Sequence, residues 1–174
     1  MRVLKLVALL CVAAAGTAGA SEPVAGFGKI SPVPGARNLP DRRLQYRVIF
    51  SVVKAADTPA KVSPSLERVA RFLNLLGSQG VPPRQRHVVV VMHGPATSAV
   101  LNDETYRARY GVPNPNLALI RALRNAGASV HICGQALFAQ NIDRSAVAPN
   151  VITDLSAMTT IATLQLKGWV LMPE

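Results

Sequence analysis

Cysteine is almost missing from this chain. Of 174 residues only Cys11 and Cys133 carry a thiol. Cys11 falls in an N-terminal segment that reads as a removable leader, so the mature protein keeps one thiol and has no intramolecular disulfide. A lone thiol in an oxidising compartment is open to oxidation or intermolecular pairing unless it is buried or used. Acidic residues are scarce too, nine against nineteen Lys and Arg. There is no glycine-rich phosphate loop, which removes the usual sequence signature of nucleotide binding. Internal repeats are absent, and beyond the leader no apolar run is long enough to span a membrane. No cofactor-binding or metal-binding motif is read, so no cofactor or metal is expected.

What is present begins with the leader. Arg2 and Lys5 supply a basic start, residues 6–15 an apolar run, and Ala18-Gly19-Ala20 a small-residue cleavage site, together the pattern of a secretory signal peptide over residues 1–20. Ala8-Leu9-Leu10 ahead of Cys11 lacks the small residue that lipoprotein processing needs beside its cysteine. The mature protein is therefore expected in the periplasm or secreted. Cleavage leaves 154 residues, enough for one domain with its own core. It also lowers the formal net charge from +10 to +8, since Arg2 and Lys5 are the charges lost. Nucleic acid is the first partner a basic chain suggests. The arginines between Arg37 and Arg124 are spread rather than clustered, however, and export removes the protein from the genome. No nucleic-acid partner is expected; an acidic partner, anionic head groups or an anionic substrate fits better, beside the plain reading of a solvated surface.

Residues 21–43 are rich in proline and glycine without apolar period, a linker or an arm lying on the surface. From residue 44 to 174 strands and helices alternate. Tyr46 to Val53 reads as a strand. Ser63 followed by Pro64 caps a helix that runs to Gly77 with Leu66, Val69, Ala70, Leu73 and Leu76 on one face. His87 to His93 is a continuous apolar strand of the kind covered on both faces. Asp103 to Tyr110 is a short charged helix, and Asn114-Pro115-Asn116 caps a helix that ends at Gly127. Val130 to Cys133 is a buried strand, residues 136–140 a short helix, Val151 and Ile152 a brief strand. Thr153 or Asp154 then caps a helix closed by Gly168, and residues 169–172 form a last strand. This order predicts a three-layer α/β/α domain with a mostly parallel sheet of about five strands, flavodoxin-like in general form.

Parallel strands ending near Val53, His93 and Cys133 place Lys54, His93 and Cys133 on the edge where open α/β sheets bind ligands. Gly134 lets the chain turn from the Cys133 strand into a helix whose N-terminal N–H groups favour thiolate over thiol. Each residue has a plainer reading: Cys133 as core packing, His93 as a strand-end hydrogen bond, Lys54 as a solvated charge. His131, two residues before Cys133, shares its strand face, and with His93 the three side chains form a possible metal or haem set without a supporting spacing motif.

His93-Gly94-Pro95, the helix from Asn116 to Gly127, Cys133-Gly134-Gln135-Ala136-Leu137 and Leu164-Gln165-Leu166-Lys167-Gly168-Trp169 in that order and spacing resemble the DsrE/DsrF-like family over about residues 45–173. The resemblance implies the α/β/α fold, a homo-oligomer, and Cys133 as the match to a cysteine that carries sulfane sulfur as a persulfide. It implies a sulfur donor or acceptor protein as partner. From their place on the shared edge, His93 joins Cys133 as a candidate catalytic residue, and Lys54, Gly134 and Gln135 are candidate substrate contacts. The family's well-understood relays work in the cytoplasm, so a leader departs from the pattern. A rival reading keeps Cys133 structural in a non-enzymatic oligomer that binds a small anion or a protein at the same edge.

Overall fold

Strand β2 (Arg86–Met92) carries four successive valines and has no polar face from Val88 to Met92. Such a strand is stable only between two covering layers, and its neighbours repeat the demand. In the computed structural model, which describes residues 20–172, β2 lies at the centre of a five-stranded sheet ordered β4-β3-β2-β1-β5, every neighbouring pair parallel. Strand β1 is Tyr46–Val52, β3 Ser129–Cys133, β4 Ile152–Asp154 and β5 Val170–Met172. The leader, apart from Ala20, lies outside the described residues, as do residues 173–174. Among the described residues no helix is long and apolar enough to cross a membrane.

Alternation along the strands divides two unequal cores. Val48, Phe50, Val52, Val88, Val90, Met92, Val130 and Ile132 face helices α1 (Pro64–Ser78) and α3 (Leu117–Asn125), which contribute Leu66, Val69, Leu73, Leu119, Ile120 and Leu123. Ile49, Val89, Val91 and Cys133 face the other way, under helix α5 (Ala157–Leu166), where Ala157 is buried and Ile161, Leu164 and Trp169 pack partly. Helices α2 (Asp103–Tyr110) and α4 (Gly134–Ala139) complete the crossovers.

Local chemistry explains most boundaries. Ser63 Oγ accepts from Leu66 N at 3.4 Å, with Pro64 opening α1. Asn102 caps α2 by accepting from Thr105 N at 2.8 Å. Two caps differ from expectation. Asn116 has a helical backbone and makes no cap; its Oδ1 accepts from Ser63 N at 2.7 Å and ties the start of α3 to that of α1. Helix α5 is capped by Ser156, which accepts from Met158 N at 3.2 Å, because Asp154 is engaged elsewhere.

The N-terminal arm is anchored rather than loose. Val24 is fully buried, and its N–H donates to Asn74 Oδ1 at 2.8 Å. Asn74 Nδ2 donates back to Phe27 O at 2.9 Å, so one buried side chain of α1 satisfies the backbone of an irregular segment. Gly28, at φ +59°, lies so close to Ala70 and Arg71 that a Cβ has no room, and its N–H donates to Glu67 Oε2 at 2.5 Å. A polar anchor of this kind leaves no apolar period, which is why the sequence shows only an arm. Replacing Asn74 by alanine strands the Val24 N–H and is expected to cost about 1–3 kcal/mol. A urea titration measures the loss, and limited proteolysis within residues 21–43 should accelerate.

Candidate functional site

The carboxyl ends of β1, β2 and β3 share one edge, and hydrogen bonds bind their loops together. Ala96 N donates to Val53 O at 2.8 Å, joining the connection after β2 to the end of β1. Gln140 Nε2 donates to Gly94 O at 2.9 Å, joining the residue after α4 to the same connection. On this edge the register pairs Met92 with Ile132 and Cys133 with Asp154, so continuing it sets His93 level with Cys133. Neighbouring strands stand about 5 Å apart. A row His93, Cys133, Asp154 therefore crosses three strands.

Each residue named from the sequence has a definite place. Cys133 is the free thiol among the described residues, 6% exposed, against Ile49, Val89, Val91 and Ala157. His93 Nε2 lies 3.0 Å from Ser51 Oγ, so the imidazole turns toward β1; no hydrogen bond joins it to Cys133 among the described residues. Lys54 and Gln135 are exposed, Lys54 just past β1 and Gln135 in the first turn of α4. Helix α4 spans six residues, a short dipole to act on the thiol.

Gly134 is needed for a different reason than turning. It does not have positive φ; instead a Cβ there would stand 2.7 Å from Asp154 O and 3.3 Å from Leu155 O. The glycine lets the β4–α5 junction press against the residue that follows Cys133.

Asp154 was hidden from the sequence, where it reads as a helix cap. Its carboxylate lies 2.9 and 3.0 Å from His131 Nδ1 and accepts from Thr160 Oγ1 at 2.7 Å. A carboxylate only accepts, so His131 carries its proton on Nδ1, and its Nε2 meets Ser129 Oγ at 3.1 Å. This row of hydroxyl, imidazole, carboxylate and hydroxyl locks β3 to β4 and α5 beside the thiol. It borders an open hollow of about 300 Å³ lined by His131, Asp154, Thr160 and Leu164. Only the strand register, which no local pattern reports, could have paired residue 131 with residue 154. His131 is thereby committed to Asp154, and among the described residues no three His, Cys, Asp or Glu side chains gather as a metal set.

Residues 47–173 match the DsrE/DsrF-like family. A solved structure of a protein of unknown function from Methanobacterium thermoautotrophicum has the same fold, with a TM-score of 0.54 at 19% identity, covering 73% of this chain and 97% of that one. No curated protein matches the chain.

The close approach at Gly134 yields a test. Gly134→Ala must push the Asp154 carbonyl away and is expected to lower stability by about 1–3 kcal/mol. With the seam beside it loosened, Cys133 should react faster with a disulfide reagent such as Ellman's reagent, read as a rate against wild type.

Proposed function

The chain belongs to the DsrE/DsrF-like family, and we propose that it is an exported sulfur carrier or sulfurtransferase that holds sulfane sulfur as a persulfide on Cys133. The observation that carries this reading is the position of Cys133, a free thiol at the carboxyl end of an internal parallel strand whose register, continued, sets it level with His93. That is where the fold places ligands and where the resemblance places the sulfur-carrying cysteine.

The Cys133 thiolate attacks the outer sulfur of a persulfide, polysulfide or thiosulfonate donor. The new bond joins Cys133 Sγ to the sulfane sulfur; the old sulfur–sulfur bond breaks, and the donor leaves as thiolate or sulfinate with the bonding pair. An acceptor thiolate then takes the same sulfur and regenerates Cys133, so no external oxidant or reductant is consumed. In this scheme His93 positions the donor, and Lys54, Gly134 and Gln135 contact it. The basic leader, apolar run and small-residue site at Ala20 support export to the periplasm or beyond.

Intact mass of the mature protein after exposure to polysulfide tests the reading. A gain of sulfur mass that reductant reverses is expected in wild type and not in Cys133→Ser. A folded protein with a titratable thiol and no gain would overturn the relay.

Burial favours a second reading. At 6% exposure and packed among aliphatic side chains, Cys133 can equally be a core residue of a non-enzymatic binding module. In that case Cys133→Ser leaves folding and binding intact and no sulfur is loaded in either form.

A homo-oligomer is part of the proposal. Helix α5 exposes Met158 by 78% and Leu166 by 90%, Leu155 precedes it at 74%, and residues 155–166 contain no charge. In a strongly basic protein an uncharged apolar face is the surface on which identical copies approach without repulsion. Light scattering is expected to give a multiple of the mature mass, and Met158→Glu with Leu166→Glu should return the protein to monomer.

A further inference from the structure

A roomy cavity among the described residues lies away from Cys133. It holds about 670 Å³ and lies over β1 and β5, on the face occupied by α1. Phe50 and Met172, which are register partners at the carboxyl ends of those two strands, form its floor with Phe72 from α1. The Phe50 and Phe72 rings meet edge to face at 5.4 Å between centroids. Strand β5 joins the sheet on the opposite side of β1 from β2, so the direction of winding reverses here. The crossover helices on the two sides, α1 and α5, lie on opposite faces. Helix α1 leaves the carboxyl end of β1, whereas α5 enters β5 at its amino end, and no helix follows β5 among the described residues, so the strip of sheet at Phe50 and Met172 is covered by α1 from one side only.

The rim has one sign of charge to spare. Lys29, Arg68 and Arg71 line the opening, all with exposed side chains, while the single carboxylate, Glu67, accepts the Gly28 N–H at 2.5 Å and is committed to holding the arm. Arg71 Nε donates to Lys29 O at 3.1 Å, which keeps that wall in place. The docked arm therefore supplies one cation and positions a second. A volume of this size lies in the range of small-molecule sites, which pair an apolar body with few polar anchors.

We propose that this crevice binds an amphipathic organic monoanion, its apolar body on Phe50, Phe72 and Met172 and its carboxylate or sulfonate at Lys29, Arg68 and Arg71. The site is independent of Cys133, which faces the other side of the sheet.

The probe is 1-anilinonaphthalene-8-sulfonate, titrated by fluorescence into the mature protein, with its uncharged relative N-phenyl-1-naphthylamine as control. Saturable one-site binding of the sulfonate is expected, displaced by decanoate, with the neutral probe bound about tenfold more weakly. Lys29→Glu with Arg68→Glu should weaken the sulfonate about tenfold or more, whereas Cys133→Ser should leave it unchanged. Both altered positions are exposed, and an unchanged melting temperature verifies the fold; Arg68→Gln gives a milder second variant. Binding that ignores the charge reversals would place the probe elsewhere, for example on the apolar face of α5, and would overturn the proposal. Absence of saturable binding in the wild type would do the same.

Discussion

The structure depends on the burial of a strand that has no polar face. Once β2 needs cover above and below, its partners β1 and β3 do as well, and the chain must send helices to both sides. The two layers are unequal. On one face α1 and α3 build the main core and the arm adds Val24; on the other, α5 stands over Ile49, Val89, Val91 and Cys133, with Ala136 and Trp169 beside it. The thiol lies on the thin side, beneath the helix whose exposed residues are uncharged and include Met158 and Leu166. The sulfur chemistry and the assembly proposed for this protein thus concern the same layer.

That layer is held at its entrance by polar contacts. Asp154 joins His131 on one strand to Thr160 on the helix, and Gly134 admits the backbone of the β4–α5 junction to close range. A largely buried hydrogen bond from imidazole to carboxylate resists separation more than an exposed one would, because water competes less for its partners. Any motion that uncovers Cys133 has to loosen this row or pass around it.

The opposite face is shaped by a single asparagine. By satisfying Val24 and Phe27, Asn74 converts an irregular, proline-rich segment into a wall of the molecule, and the wall places Lys29 next to the cations of α1. A buried polar group that is fully paired costs little and specifies position sharply. The cavity over β1 and β5 is bounded by that docked arm, by α1 and by the edge strand β5.

Much of this was legible in the residues themselves. Valine-rich runs, serine and proline at Ser63-Pro64, and helical spacing of Leu66, Val69 and Leu73 are local signals, each set within a few residues by backbone sterics and side-chain burial. They sufficed for the α/β/α layers, the approximate elements and the shared edge of His93 and Cys133. Strand order and register are long-range quantities, settled by which faces can be buried together, and no short pattern encodes them. Hence Thr153 or Asp154 was read as a cap and Asp154 turned out to be the partner of His131, Asn116 was read as a cap and serves α1, and the arm read as lying on the surface is held there by Asn74. Sequence alone determined that this chain is poor in cysteine, carries nineteen basic against nine acidic residues and has the strand pattern of a parallel sheet. Only the tertiary structure decided what stands beside that thiol, because proximity across strands is created by packing and not by adjacency along the chain.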